Sequence, residues 1–126
     1  MADGFKLTGG YTVTPLGNPL SFAQNVEAVI DESVTLEAKQ LSEQRLTVDT
    51  PVPVDFGGVV NANVVVMKAI GGKVTARFTS ADGATQSVPF DTYLILMSDA
   101  VPITAIDLTR VAGTDTTVRV FLGDKA

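Results

Sequence analysis

Apolar positions along the first thirty residues follow no sustained period. Met1 to Gly10 (MADGFKLTGG) holds Phe5 and Leu7 as isolated apolar residues among glycines and polar groups, which predicts a flexible N-terminal arm over 1–10 ahead of one folded domain over 11–126. Such an arm could dock Phe5 and Leu7 on a neighbouring subunit. Tyr11 to Thr14 suits a short first strand, and Pro15, Gly17, Asn18 and Pro19 then break the chain. Phe22, Val26, Val29 and Ile30 fall at helical spacing, so this is the place for one short helix, with a strand as the competing reading. From Val34 the pattern sharpens. Val34, Leu36 and Ala38 alternate with Thr35, Glu37 and Lys39, the period of two that a half-buried strand requires. Ser42 to Gln44 reads as a connection into a second strand through Leu46 and Val48, while helix-favouring residues over Glu37 to Arg45 supply the rival assignment.

Beyond Asp49 the pattern is persistently β. Pro51 and Pro53 cannot donate to a central ladder, so PVPVDFGG is an edge or an extended connection. Val59 to Met67 is rich in β-branched residues, and Val64 to Met67 predicts burial on both faces. Gly71 and Gly72 turn the chain into the cleanest amphipathic strand, where Val74, Ala76 and Phe78 oppose Thr75, Arg77 and Thr79. Asp82-Gly83 supplies a hairpin turn, and Gln86 to Phe90 returns as the partner strand. Tyr93 to Met97 (YLILM) is an uninterrupted apolar run, expected as a core strand. Ile103 to Leu108 follows Pro102. After Gly113, Val118, Val120 and Leu122 close the chain in alternation with Thr117, Arg119 and Phe121. Turn signals recur roughly every 8 to 12 residues from Gly57 onward. That spacing predicts an all-β fold: an antiparallel β-sandwich with jelly-roll or Greek-key-like connections and at most one short helix.

Composition narrows the chemistry. The 126 residues are 45% hydrophobic and 18% charged, which suits one folded domain. The net charge is −5 and the nine Lys and Arg are scattered, so the basic stripe needed against nucleic acid or an anionic membrane is missing. There is no signal-peptide pattern at the N-terminus, and a soluble protein made in the cytosol is the expectation. The chain has no Cys and no His. That removes disulfides, thiolate metal sites, and the Ser-His-Asp and Cys-His arrangements. Paired aspartates are the surviving catalytic option, but Asp49-Thr50-Pro51 and Asp91-Thr92-Tyr93 both lack the glycine that follows Asp-Thr in aspartic proteases. Asp82, Asp99 and Asp115 could offer oxygen ligands to calcium, yet no EF-hand spacing occurs and turn formation accounts for them. The glycine pairs lack a phosphate-loop ending. No enzyme activity, cofactor or metal is expected. Lys73, Arg77, Arg110 and Arg119 read as solvated strand-face residues, with interface salt bridges as the alternative. Phe121 lies opposite the apolar face of its own strand. Joined with Phe56 or Phe90 in a patch, it would mark a protein contact.

From Val59 onward the order NVVVMKAIGG, KVTARFTS, SVPFDTYLILMS, ITAIDL and TTVRVFLG resembles small β-sandwich structural proteins of tailed-bacteriophage virions. The resemblance covers about half the chain and includes capsid decoration, or cement, proteins and head or tail accessory proteins. It implies a virion location. It also implies a partner in the major capsid protein or another virion protein, and a homo-oligomer, a trimer if it sits on a local threefold axis. Phe5, Leu7, Phe56, Phe90 and Phe121 are the expected interface residues. A tail-tube, tail-fibre or connector component is the alternative within virions. A carbohydrate-binding sandwich is the alternative outside them, poorly equipped here with no Trp and two Tyr.

Overall fold

A computed structural model describes residues 3–13, 26–98 and 100–125. Among these residues there are nine strands and no helix: β1 (Asp3–Val13), β2 (Val26–Leu46), β3 (Val52–Pro53), β4 (Val64–Ile70), β5 (Val74–Ser80), β6 (Thr85–Phe90), β7 (Tyr93–Met97), β8 (Ile103–Arg110) and β9 (Thr116–Lys125). They form two antiparallel sheets, β1-β2-β9-β4-β7 and β3-β8-β5-β6. The pairing is nested. β5 pairs with β6, β4 with β7, β3 with β8 and β2 with β9, as though one long hairpin had been rolled up, and β4·β9 and β5·β8 contacts complete the sheets. This is jelly-roll connectivity, with β1 added at one edge.

Local chemistry explains the innermost hairpin. Gly83 N–H donates to Ser80 C=O, Ala84 N–H donates to Asp82 Oδ1, and Gly83 takes the positive φ of 87° that its missing Cβ permits. The inward residues of the central strands then fill the space between the sheets: Val65, Met67 and Ala69 on β4, Val74, Ala76 and Phe78 on β5, Ile106 and Leu108 on β8, and Val118, Val120 and Leu122 on β9. At one corner the two sheets meet directly, where Ala62 and Ile103 exchange backbone hydrogen bonds of 2.7 and 2.9 Å. Asn63 ties three strand ends there. Its Nδ2 donates to Ser98 C=O, and its Oδ1 accepts from Lys125 N–H.

Several expectations change. The division at residue 10 falls inside β1, so residues 3–10 are strand. Val26–Ile30 belongs to β2 rather than to a helix, and Phe22 to Asn25 lie outside the described residues. Ser42 to Gln44 is no connection, because β2 runs unbroken through it to Leu46. β2 would reach roughly 70 Å if straight, enough to serve two partners in succession. Its first half pairs with β1 and its second half with β9. Between them the register shifts at Glu37, which puts Leu36 and Ala38 on opposite faces despite their spacing of two.

Arg110 is likewise not a solvated strand residue. Its side chain is 9% exposed and its guanidinium binds Asp49 (2.9 Å) and Asp115, while Asp49 Oδ1 also accepts from Gly113 N–H (3.1 Å). These bonds pin the β2–β3 connection to the β8–β9 turn. The Gly113 N–H, then the Arg110 charge and hydrogen bond, outweigh desolvation and hold the Asp49 carboxyl below its ordinary value of 3.8. A lowered folded-state pKa contributes stability that is present above the unfolded value and lost as pH falls through the folded one. Asp49→Asn should therefore melt below wild type at neutral pH, with the gap closing below about pH 4. Arg110→Ala should cost roughly 1–2 kcal/mol, a Tm drop of several degrees. Melting curves across pH check both, and an unchanged gap between wild type and Asp49→Asn at acidic pH would contradict the assignment.

Candidate interaction face

Strand parity sends Val118, Val120 and Leu122 of β9 inward and Thr117, Arg119 and Phe121 outward. Cross-strand register then decides what stands beside them. Phe121 lies opposite Leu41 on β2 and Val66 on β4, and Val66 lies opposite Ile95 on β7. The outer face of the five-stranded sheet thus carries an apolar rank, Leu41–Phe121–Val66–Ile95, across four strands. Leu41 is 71% exposed and Ile95 45%. The next rank is charged: Glu43, Arg119, Lys68 and Tyr93 stand side by side. Arg119 Nε lies 3.6 Å from Glu43 Oε2, and Lys68 Nζ sits 5.5 Å from the centre of the Tyr93 ring.

The register shift at Glu37 shapes this face. Leu36 and Phe5 both end up on its side, and the β1–β2 ribbon curls over it like half a barrel. The Phe5 ring stacks on Phe121 with centroids 5.3 Å apart and planes 19° from parallel. Leu36 is buried directly above Gly123, where a Cβ would approach its Cδ2 to 2.8 Å. Only glycine leaves room for that close passage. An open groove of about 480 Å³ results, lined by Leu41, Glu43, Val66, Lys68, Arg119 and Phe121. Lys68 and Arg119 outnumber Glu43 within it, so it is locally cationic on an acidic chain.

Of the expected interface residues, Phe5 and Phe121 come together here. Phe90 does not join them. It is 7% exposed and packs in the core from β6. Phe56 is partly buried against the core at the mouth of the β3–β4 connection, away from Phe121. Leu7 lies on β1 opposite Glu32, and its side chain is outside the described residues. Leu41, Val66, Lys68 and Ile95 were not singled out from sequence. Phe121 could be, because parity within one strand exposes it, whereas the others need the pairing order. The aspartates considered for calcium have local partners: Asp82 caps its hairpin and Asp115 binds Arg110, while Asp99 lies outside the described residues. Among the described residues no three acidic side chains converge. No known family, curated protein or solved structure matches the chain.

The Phe5–Phe121 stack should hold the ribbon down. Replacing Phe121 with Ala should remove about 0.5–1.5 kcal/mol of ring contact. Amide hydrogen exchange over Asp3 to Thr8 should quicken several-fold, while β4, β5 and β8 stay protected. Phe5→Ala should reproduce this, and the double variant should add little. Unchanged exchange in β1 would show that the stack does not anchor it.

Proposed function

We propose that this chain is a non-enzymatic structural protein of a tailed-bacteriophage virion, a decoration or cement protein that binds the outer surface of the major capsid protein lattice and stabilises it. The observation that carries the reading is the apolar rank beside a charged one on a concave sheet face that the described residues cover only in part. A rank of Leu, Phe, Val and Ile offers desolvation, and Arg119 and Lys68 beside it offer register against a carboxylate-bearing protein surface. Jelly rolls serve viral capsids and also lectins, so the fold alone does not choose between them. The groove favours a protein partner, because its aromatic surface is Phe121 under Phe5 rather than an open platform for a sugar ring. The resemblance of the strand order from Val59 onward to small virion proteins supports the same reading.

Such a protein works by mass action. It binds the assembled lattice better than isolated subunits, so occupancy shifts the equilibrium towards the shell. Repetition over a symmetric surface multiplies weak contacts.

Leu41→Asp introduces a carboxylate where the side chain is most exposed, so the fold should survive. Purified wild type should attach to empty capsids of the same virus, and raise their melting temperature. Leu41→Asp should bind them at least about thirtyfold more weakly, the scale of a hot-spot loss near 2 kcal/mol. Binding of wild type should also weaken with added salt. Co-sedimentation and capsid melting measure both. Equal attachment by Leu41→Asp would sink the assignment of this face, and no attachment by wild type would sink the proposed role.

A further inference from the structure

β7 carries five consecutive apolar residues, YLILM, with no charge, glycine or proline, and none of the five is buried. Among the described residues it is the last strand of its sheet and pairs only with β4. Soluble proteins ordinarily protect such edges with charge, proline or bulges, because unpaired N–H and C=O groups accept another strand. The edge strand of the opposite sheet, β6, has that protection in Pro89 and in exposed Thr85, Gln86 and Ser87. Shortness is the one protection β7 has.

The ladder decides which groups face out. Ala69 N–H donates to Thr92 C=O, and Ser98 N–H donates to Asn63 C=O. Bonding alternates along an antiparallel pair, so Leu94 and Leu96 turn their backbone groups to β4, and Tyr93, Ile95 and Met97 turn theirs to the free edge. We propose that this edge is a self-association site, at which β7 of a second copy of this chain adds antiparallel with Ile95 opposite Ile95. In that register Tyr93 stands opposite the second copy's Met97 and the reverse. Every outward N–H and C=O of the three residues then has a partner. A slip of two residues leaves part of the set unpaired.

Side chains fit the same axis. Residues directly opposite in an antiparallel pair share a face, so the Leu41–Phe121–Val66–Ile95 rank continues into its own image. On the inner side, Leu94 and Leu96 meet the second copy's Leu96 and Leu94. They would cover the cleft of about 250 Å³ that opens between the sheets beside Phe78, Val88 and Ile103. Charge sets the salt dependence. Two copies of net charge −5 repel, and the strand itself places no charge at the contact. Asp91 lies four residues from the axis, beyond the end of β7. Association should therefore strengthen with salt, the opposite of capsid attachment through Arg119 and Lys68. Five-residue edges fall short of the ~1,200–2,000 Å² of a stable interface, so the pair is weak in free solution and is favoured where copies are held close together.

The chain has no cysteine, so Ile95→Cys introduces a single thiol. At a hydrogen-bonded pair the two Cα atoms lie about 5.5 Å apart, within reach of a disulfide or a short bis-maleimide. Ile95→Cys should cross-link to dimer at least about tenfold more than Thr85→Cys on the β6 edge. Sedimentation of wild type should show a monomer–dimer equilibrium that tightens with salt, and Ile95→Lys should stay monomeric with its melting curve retained. Equal cross-linking at 85 and 95, a wild type that is monomeric at every concentration, or a ring larger than two as the associated species would each overturn the proposal, because a twofold edge closes at two.

Discussion

Strand β9 pairs on both edges, with β2 on one side and β4 on the other, and this double pairing sets the positions of nearly everything else. Its inward Val118, Val120 and Leu122 are fully desolvated, which anchors the five-stranded sheet against the four-stranded one. The same strand must then present Arg119 and Phe121 to the other side. A central strand with apolar residues on both faces leaves two outcomes: a further layer covers the outer face, or the face stays available. Here part of the cover comes from the chain itself. The register shift at Glu37 curls β1 over Phe121, and Gly123 leaves space for Leu36 beneath it. Leu41 and Ile95 stay outside that cover, and the exposed rank is what remains.

The distribution of legible and illegible features follows from range. The Asp82-Gly83 hairpin was readable because a turn is decided within four residues. The alternation of β5 was readable because its inner face meets a sheet along its whole length. The YLILM run of β7 predicts a core strand, whereas the fold makes it an edge strand from which Leu94 and Leu96 pack partly buried against the core. Its YLILM run shows that no position needs water, but burial depends on which strand ends a sheet, and that is decided by pairings far away in sequence. The polar Ser42 to Gln44 predict a break, yet β2 continues through them. In the fold Gln40, Ser42 and Gln44 are half-buried rather than sealed, since the facing sheet ends on that side in β3, two residues long.

The site divides the same way. Phe121 could be flagged from its own strand, and its partner Phe5 was flagged for a different reason, as an isolated apolar residue near the N-terminus. Nothing local connects them. Their contact depends on one extra residue at position 37, which no alternation pattern announces. Phe90 fails as a surface residue because its strand faces inward at that position. Arg110 fails as a solvated one because Asp49, 61 residues away in sequence, and Asp115, from the turn that follows its own strand, both bind its guanidinium.

The two edges on the open side of the sandwich suggest how the faces divide their work. β6 is polar along its exposed residues and contains Pro89, so it resists another strand. β7 is apolar and can accept one. The outer rank ends at Ile95, on β7 itself, so the edge and the face share a single residue while relying on different groups. In the proposed roles the face would act through side chains, with Leu41 and Phe121 distant from the edge. The edge would act through the backbone of Tyr93, Ile95 and Met97. A second strand at β7 would therefore extend the apolar rank rather than hide it. Self-pairing and attachment to a larger surface can then operate together, and a paired molecule would carry twice the adhesive face on one continuous sheet.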